Sequence, residues 1–237
     1  MTPKFHQAFL KKRIRLTKDV YEFVFALKNP ETIDFKAGQF VNIRVDDGKE
    51  KIFFRSYSIM NTPDENSIIK SCIKIIPGGR CSQWLENIPM DTSVTLMGPI
   101  GMFTFRETSQ KNSLFVATGT GITPLYSMIV NEIQKGNKKP MHLVWGFRHE
   151  EDIFYQNFFE ILSKKYPNFH STITLSQSKE NWMGEKGRVT DYLEKNFPDS
   201  QNTEVYICGL GKMVLDVKNL CIQKGMPSEA VHFEKYD

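Results

Sequence analysis

Only four cysteines occur in 237 residues, Cys72, Cys81, Cys208 and Cys221; none forms a C-x-x-C pair and the closest two are nine positions apart. That is too few ligands, too scattered, for a zinc site or an iron–sulfur cluster, so any redox group in this chain is expected to be held without metal. Long hydrophobic runs are also missing. No apolar stretch approaches the roughly 18 residues of a spanning helix, and the N-terminus lacks the apolar h-region of a signal peptide. These absences point to a cytoplasmic protein without a membrane span. A large excess of one charge is absent too, with 31 Lys plus Arg against 27 Asp plus Glu and a net charge of +4. Nucleic-acid binding calls for a stronger and more clustered excess, and no nucleic-acid partner is expected.

What is present is an ordinary globular composition, 40% apolar and 24% charged, long enough for one large domain or two smaller ones. The charge is uneven: residues 1–112 carry 17 basic and 12 acidic side chains, residues 113–237 carry 14 and 15. Residues 1–18 contain six basic residues and no acid. This suits an acidic partner or an anionic cofactor, or simply a solvated basic strand face.

The first half alternates short β-type runs with turns. Tyr21–Phe25, Phe40–Val45, Ile68–Ile76 and Ser93–Leu96 read as strands, punctuated by Lys28-Asn29-Pro30 and Asp46-Asp47-Gly48. One short helix, Ser82–Asn87, interrupts them. Evenly spaced strands without long helices predict an antiparallel sandwich or barrel. From Ser113 the texture changes to strands alternating with helices: Leu114–Ala117, a helix over 124–135, His142–Trp145, a helix over 152–165, Ser171–Leu175, a helix over 189–196, Val205–Cys208, a helix over 213–224, and Ala230–Phe233. Such alternation predicts a doubly wound parallel α/β sheet. The polar stretch around 105–112 separates the textures, which gives two domains, 1–108 and 109–237.

Four local signals carry chemistry. After Leu114–Ala117 comes Thr118-Gly119-Thr120-Gly121-Ile122-Thr123-Pro124, a glycine turn opening a helix whose free N–H groups suit a phosphate, with Pro124 in the first turn where its missing donor costs nothing. It reads G-x-G-x-x-P instead of G-x-G-x-x-G, and no acid ends the next strand to hold ribose hydroxyls, since that strand closes on Gly146-Phe147-Arg148. Cys208-Gly209 ends another strand of the same half and should lie at the same carboxyl edge, where ligands of open α/β sheets bind. In Arg55-Ser56-Tyr57-Ser58, strand alternation sends Arg55 and Tyr57 to one face, which suits a guanidinium on a diphosphate and an aromatic ring on a planar heterocycle, with Ser58 offering a hydroxyl to its edge. Finally, Pro77-Gly78-Gly79-Arg80-Cys81-Ser82 leads into the short helix with Ser82 as its expected N-cap, forming a second anion cradle. Taken singly, these also read as tight turns, a surface arginine and a core cysteine.

Taken in order, Arg55–Ser58, Gly79–Ser82, Gly98-Pro99-Ile100-Gly101-Met102-Phe103, Gly119–Pro124, Cys208-Gly209 with Met213, and Glu234-Lys235-Tyr236 resemble the ferredoxin–NADP reductase superfamily of flavoproteins, without a fused iron–sulfur domain. The resemblance spans essentially the whole chain. It implies an N-terminal Greek-key antiparallel β-barrel that binds FAD, followed by an α/β domain that binds NADPH or NADH. It assigns Arg55 to the flavin diphosphate, Tyr57 to the isoalloxazine, Ser58 to the neighbourhood of flavin N5, and Gly79, Arg80, Cys81 and Ser82 to the phosphate cradle. Gly119, Thr120, Gly121 and Pro124 would hold the dinucleotide, Cys208 and Gly209 would border the nicotinamide, Tyr236 would cover the flavin and move aside for the nicotinamide, and Glu234 would join Ser58 in a polar network. Ser58, Cys208 and Glu234 are the expected catalytic group.

Where many NADPH-using relatives read Ser-Arg after the third strand, this chain has Ser176-Gln177. Ser176, Arg148 and Arg188, with Lys179, are the candidates for the 2′-phosphate. A nicotinamide releases a hydride, whereas many acceptors take single electrons, and a flavin joins the two. Electrons would leave to a separate acceptor, an acidic ferredoxin or flavodoxin steered to the basic flavin-domain side. The alternatives are the reductase component of an oxygenase system, a free flavin reductase, and a non-enzymatic regulatory module that keeps the flavin fold as an interaction surface.

Overall fold

The computed structural model describes residues 4–46, 48, 52–107 and 109–236. Asp47 of the expected turn, Thr108 at the expected boundary, and Asp237 after Tyr236 lie outside them. The chain divides into two compact units, Met1–Phe105 with Tyr126–Asn131, and Arg106–Leu125 with Glu132–Asp237.

The first unit holds β1 (Lys4–Arg15), β2 (Val20–Asn29), β3 (Phe40–Val45), β4 (Phe53–Ser58), β5 (Ile68–Lys74), α1 (Arg80–Asn87) and β6 (Ser93–Ile100). The strands form one antiparallel sheet in the order β4-β3-β6-β1-β2-β5. β6 inserts between β1 and β3, the non-sequential pairing of a Greek key. Strict alternation explains the pleat. Ala8 and Leu10 of β1, Val41, Ile43 and Val45 of β3, and Val94 and Leu96 of β6 are all buried, together with Phe23 and Phe25 of β2. Most intervening residues are polar or half-exposed, as expected of an antiparallel sheet with one wet face, although Val24 between Phe23 and Phe25 is buried too and Phe5 is exposed. Cys81 and Leu85 of α1 join this core. β1 is a long strand that pairs with β2 over Gln7–Arg15 and with β6 over Lys4–Phe9; Lys11 and Lys12 are exposed, while Arg13 donates to the Leu85 and Ile88 carbonyls.

The second unit holds β7 (Asn112–Thr118), the two ends of α2 (Ile122–Gln134, whose stretch Tyr126–Asn131 counts with the first unit), β8 (Met141–Phe147), α3 (Gln156–Lys165), β9 (Phe169–Leu175), β10 (Glu185–Lys186), α4 (Val189–Lys195), β11 (Thr203–Leu210), α5 (Gly211–Gln223) and β12 (Val231–Tyr236). All pairings are parallel, in the order β10-β9-β8-β7-β11-β12. Leu114, Val116, Val144, Val205 and Ile207 turn one face to Val189 and Leu193 of α4 and Val214, Val217 and Leu220 of α5. Trp145 points the opposite way, packing edge-on against Phe159 of α3 with ring centroids 5.7 Å apart. Helices therefore cover both faces, which is why these strands are near-continuous apolar runs.

Candidate functional site

In the first unit β4 carries Phe53, Arg55 and Tyr57 on one face, in register with Val45, Ile43 and Val41 of β3. Phe53 and Tyr57 lean on the core while Arg55 stays exposed. The Arg55 guanidinium lies 4.8 Å from the Phe53 ring centroid, and Arg80, the first residue of α1, lies 4.6 Å from the same ring. Two guanidiniums sharing one aromatic ring concentrate positive charge at the start of a helix, where an anion is favoured. Phe53 is the residue the sequence reading missed; its signal is its position two residues before Arg55, on the same face of the strand.

Tyr57 is hydrogen-bonded to Cys81 of α1, and burial, ahead of that contact, drives its hydroxyl well above the usual phenol range. Burial likewise pushes the Cys81 thiol up to about 11, so it stays protonated. Ser58 is buried at the end of β4. The turn before α1 is open at Gly78, where an added Cβ meets nothing within 4 Å.

The expected N-cap is corrected here. Gly79 occupies the cap, and Ser82 is a buried residue inside α1. Its Oγ accepts the Ile76 N–H at 3.1 Å and donates to the Gly79 carbonyl at 3.2 Å. The hydroxyl is thus spent on holding the turn closed, which leaves the cradle to the backbone and to Arg80.

In the second unit the glycine turn forms a short 3-10 segment, Gly119–Gly121, running directly into α2. Thr123 Oγ donates to the Thr120 carbonyl at 2.7 Å, and Trp145 Nε1 donates to the Gly119 carbonyl at 3.0 Å. Gly119 has φ +50°, and a Cβ there would meet nothing within 4 Å, so the turn is open on that side. Gly121 is the reverse: its Cβ would stand 2.2 Å from the Cys208 carbonyl oxygen. The turn and Cys208-Gly209 are therefore in backbone contact, at the carboxyl edge where Cys208 pairs with Ala117.

Cys208 is fully buried, and burial, with Glu234 adding to it, holds its thiol well above the usual range, partly offset by a hydrogen bond with Tyr236. The register of β12 explains the grouping: Glu234 sits beside Cys208, and Tyr236 beside Leu210. Gly209, at φ +143°, turns the strand end past Thr118, whose Oγ accepts the Leu210 N–H at 3.3 Å. Pro124 lies in the first turn of α2.

Arg148 and Ser176 follow the ends of β8 and β9, and Gly187 donates to the Leu175 carbonyl at 2.9 Å, which brings Arg188 beside the same strand ends. Ser176 donates through its Oγ to the Phe147 carbonyl at 3.3 Å, and Gln177 donates through its N–H to the Arg148 carbonyl at 2.9 Å. Arg148, Lys179 and Arg188 are all exposed. Glu150 accepts the Lys179 N–H at 3.0 Å, a carboxylate on this edge that the strand ending alone did not reveal. Among the described residues no group of three or more His, Cys, Asp or Glu is arranged to hold a metal ion, and no helix is long and apolar enough to cross a membrane.

A pair of guanidiniums on one ring, Arg55 exposed and Arg80 half-buried, and a helix-opening turn open at Gly119 fit the diphosphates of FAD and of a nicotinamide dinucleotide. Comparison with known proteins agrees. Residues 7–105 match the oxidoreductase FAD-binding domain family and residues 115–219 the oxidoreductase NAD-binding domain family. The chain is 33% identical over 231 residues to "Ferredoxin--NADP reductase B" of Sorangium cellulosum, covering 94% of this chain and 93% of that protein. It is 26% identical over 212 residues to the anthranilate 1,2-dioxygenase electron transfer component of Acinetobacter baylyi, covering 89% of this chain and 61% of that protein. It spans about 60% of the length of the oxygenase reductase components it matches. Its fold superposes on the crystal structure of Amycolatopsis cytochrome P450 reductase GcoB with a TM-score of 0.89 at 22% identity, over 98% of this chain and 70% of the other.

Proposed function

Because the chain belongs to the ferredoxin–NADP reductase superfamily, we propose that this oxidoreductase takes a hydride from NAD(P)H and delivers electrons singly to a separate carrier protein, a ferredoxin or flavodoxin. The observation that carries the reading is the double guanidinium on Phe53, next to Tyr57 on the same face of one strand. Bound FAD supplies the chemistry that joins a two-electron donor to one-electron acceptors.

The chain's own residues bind and orient. Arg55, Arg80 and the N–H groups of Cys81 and Ser82 at the start of α1 would hold the flavin diphosphate, the Gly79 N–H being donated to the Ile76 carbonyl at 2.8 Å, while Tyr57 would pack on the isoalloxazine and Ser58 would offer its hydroxyl near N5. Gly119, Thr120 and Gly121 take the dinucleotide phosphates at the start of α2, with Pro124 leaving that end free of one donor. Cys208 and Gly209 border the nicotinamide. The Cys208 thiol remains neutral, which keeps a second negative charge away from Glu234 and presents an apolar sulfur to the ring. Arg148, Ser176 and Arg188 face the adenosine 2′-phosphate and favour NADPH. The basic side of the first unit attracts an acidic carrier.

A second reading, the reductase component of an oxygenase system, is favoured by the similarity to electron transfer components of dioxygenases and monooxygenases. Purified protein decides first. A yellow holoprotein absorbing near 450 nm (about the value of any oxidised flavin, whose chemistry is the cofactor's own) that bleaches anaerobically with NAD(P)H is the reductase, and a colourless chain that takes up no FAD sinks the proposal. Tight retention of FAD through gel filtration excludes a free flavin reductase. Arg55→Gln and Arg80→Gln are each expected to weaken FAD retention about tenfold, the loss of one charge-assisted contact; unchanged retention in both removes them from the diphosphate site.

A further inference from the structure

We infer that Trp145, together with Thr123, is a positioning residue for the nicotinamide dinucleotide: it holds the Gly119 carbonyl inward and thereby aims the N–H groups of the glycine turn at the diphosphate. This deepens the proposed role of that turn and rests on it.

Two successive carbonyls of the turn are each tied down by a buried side chain. Trp145 Nε1 donates to the Gly119 carbonyl at 3.0 Å, and Thr123 Oγ donates to the Thr120 carbonyl at 2.7 Å. The Ile122 N–H is shared between the same two oxygens. A trans peptide sets its N–H opposite to its C=O. Carbonyls held toward the body of the unit therefore direct the N–H groups of Thr120 and Gly121 the other way. Successive N–H groups beside a left-handed residue, here Gly119 at φ +50°, form the concavity that takes an anion.

The tethers are needed because each of these peptides has a glycine at one end, where rotation meets little steric resistance. A flipped Gly119–Thr120 peptide would turn the negative end of its carbonyl toward the incoming phosphates. With the Ile122 N–H and the Trp145 indole both donating to it, that oxygen is held against the flip. Trp145 is suited to the task because it cannot turn itself. It is 1% exposed, and its register partner on β7 is Ala117, whose small side chain leaves the indole room to reach the turn two residues on. Phe147 lies 4.6 Å from its ring centroid, and Phe154 and Phe159 meet it edge-on at 4.9 and 5.7 Å, which fixes the plane of the ring. Thr123 is fully buried as well, so both residues act through the backbone of the turn.

The test uses the FAD-loaded full chain. Trp145→Phe keeps a ring in place without its donor, Thr123→Val keeps the shape without the hydroxyl, and Thr123→Ser restores the hydroxyl. Trp145→Phe and Thr123→Val are each expected to weaken NADP+ binding, read by calorimetry, about tenfold. KM for NADPH and for NADH should rise by that same factor, since both carry the diphosphate, while kcat and FAD retention stay at wild-type values and Thr123→Ser recovers the affinity. A role in packing alone would lower Tm and leave these affinities unmoved well below it. Unchanged NADP+ affinity in Trp145→Phe overturns the inference, as does a loss confined to NADPH, which would belong to the 2′-phosphate. If Trp145→Phe does not fold, the Thr123 variants decide by the same two readings. If the wild-type chain holds FAD but binds neither NADP+ nor NAD+, the dinucleotide reading of the turn fails and this inference with it.

Discussion

Gly121→Ala probes whether the glycine turn and the end of β11 form one unit. The added methyl would lie 2.2 Å from the Cys208 carbonyl oxygen, 2.6 Å from its carbonyl carbon and 2.7 Å from Gly209 Cα. Ordinary contact would be more than about 1 Å longer, and all three atoms are backbone, so no side chain can rotate away. Overpacking of a tight core costs typically about 1–3 kcal/mol, and backbone on both sides puts this substitution at the top of that range. For a chain of this size that is a fall in Tm of roughly 6–12 °C. The displaced Cys208-Gly209 should also raise KM for NAD(P)H about tenfold, read by steady-state rates beside thermal unfolding. Gly119→Ala is the control: its Cβ meets nothing within 4 Å, and only the left-handed φ of +50° is strained, so its stability cost should be about 1–2 kcal/mol. If Gly121→Ala unfolds within about 1 °C of wild type, or costs less than Gly119→Ala, the contact argument is wrong.

Two further outcomes follow from described geometry. Burial, with His170 adding to it, lowers the His142 pKa to about 4, beside Thr172 at 2.9 Å. The unfolded chain then binds more protons than the folded one between about pH 6.5 and 4, so the stability is whole above that window and falls by roughly 2–3 kcal/mol as the pH drops through it; His142→Gln should flatten this acid slope in denaturant titrations at pH 7.5, 5.5 and 4.5, and an unchanged slope would clear His142 of the effect. Arg148→Ala should raise KM for NADPH about tenfold and leave that for NADH near its original value; equal changes would remove Arg148 from the 2′-phosphate site.

Much of this was legible because the chemistry depends on period. Alternation alone puts Arg55 and Tyr57 on one face, and the strand–helix texture after Ser113 sets Cys208 and the glycine turn at one sheet edge. Other features were decided by competition between neighbours. Ser82 has the residue type of an N-cap, but a glycine three positions earlier took that role, and the hydroxyl went to the Ile76 N–H. Phe53 carries no polar group, so its part in gathering two guanidiniums emerges only when β4 and the first turn of α1 are together in space. Glu150 lies beyond the end of β8, and only the loop after β9 shows what its carboxylate holds.

The assignment of Tyr126–Asn131 to the first unit bears on how the protein can be cut. Ser127 donates through its Oγ to the Asn61 carbonyl at 2.7 Å, and Met128 lies where a Cβ on Gly38 would meet it at 2.3 Å. A fragment ended at Phe105 would leave that carbonyl without the Ser127 donor and the Gly38 turn covered by Phe103 but no longer by Met128. The FAD-binding half is therefore not a self-sufficient module. Fusions, swaps and deletions that treat residue 105 as a clean seam should yield poorly folded material, whereas exchanges that carry α2 along keep the first unit intact.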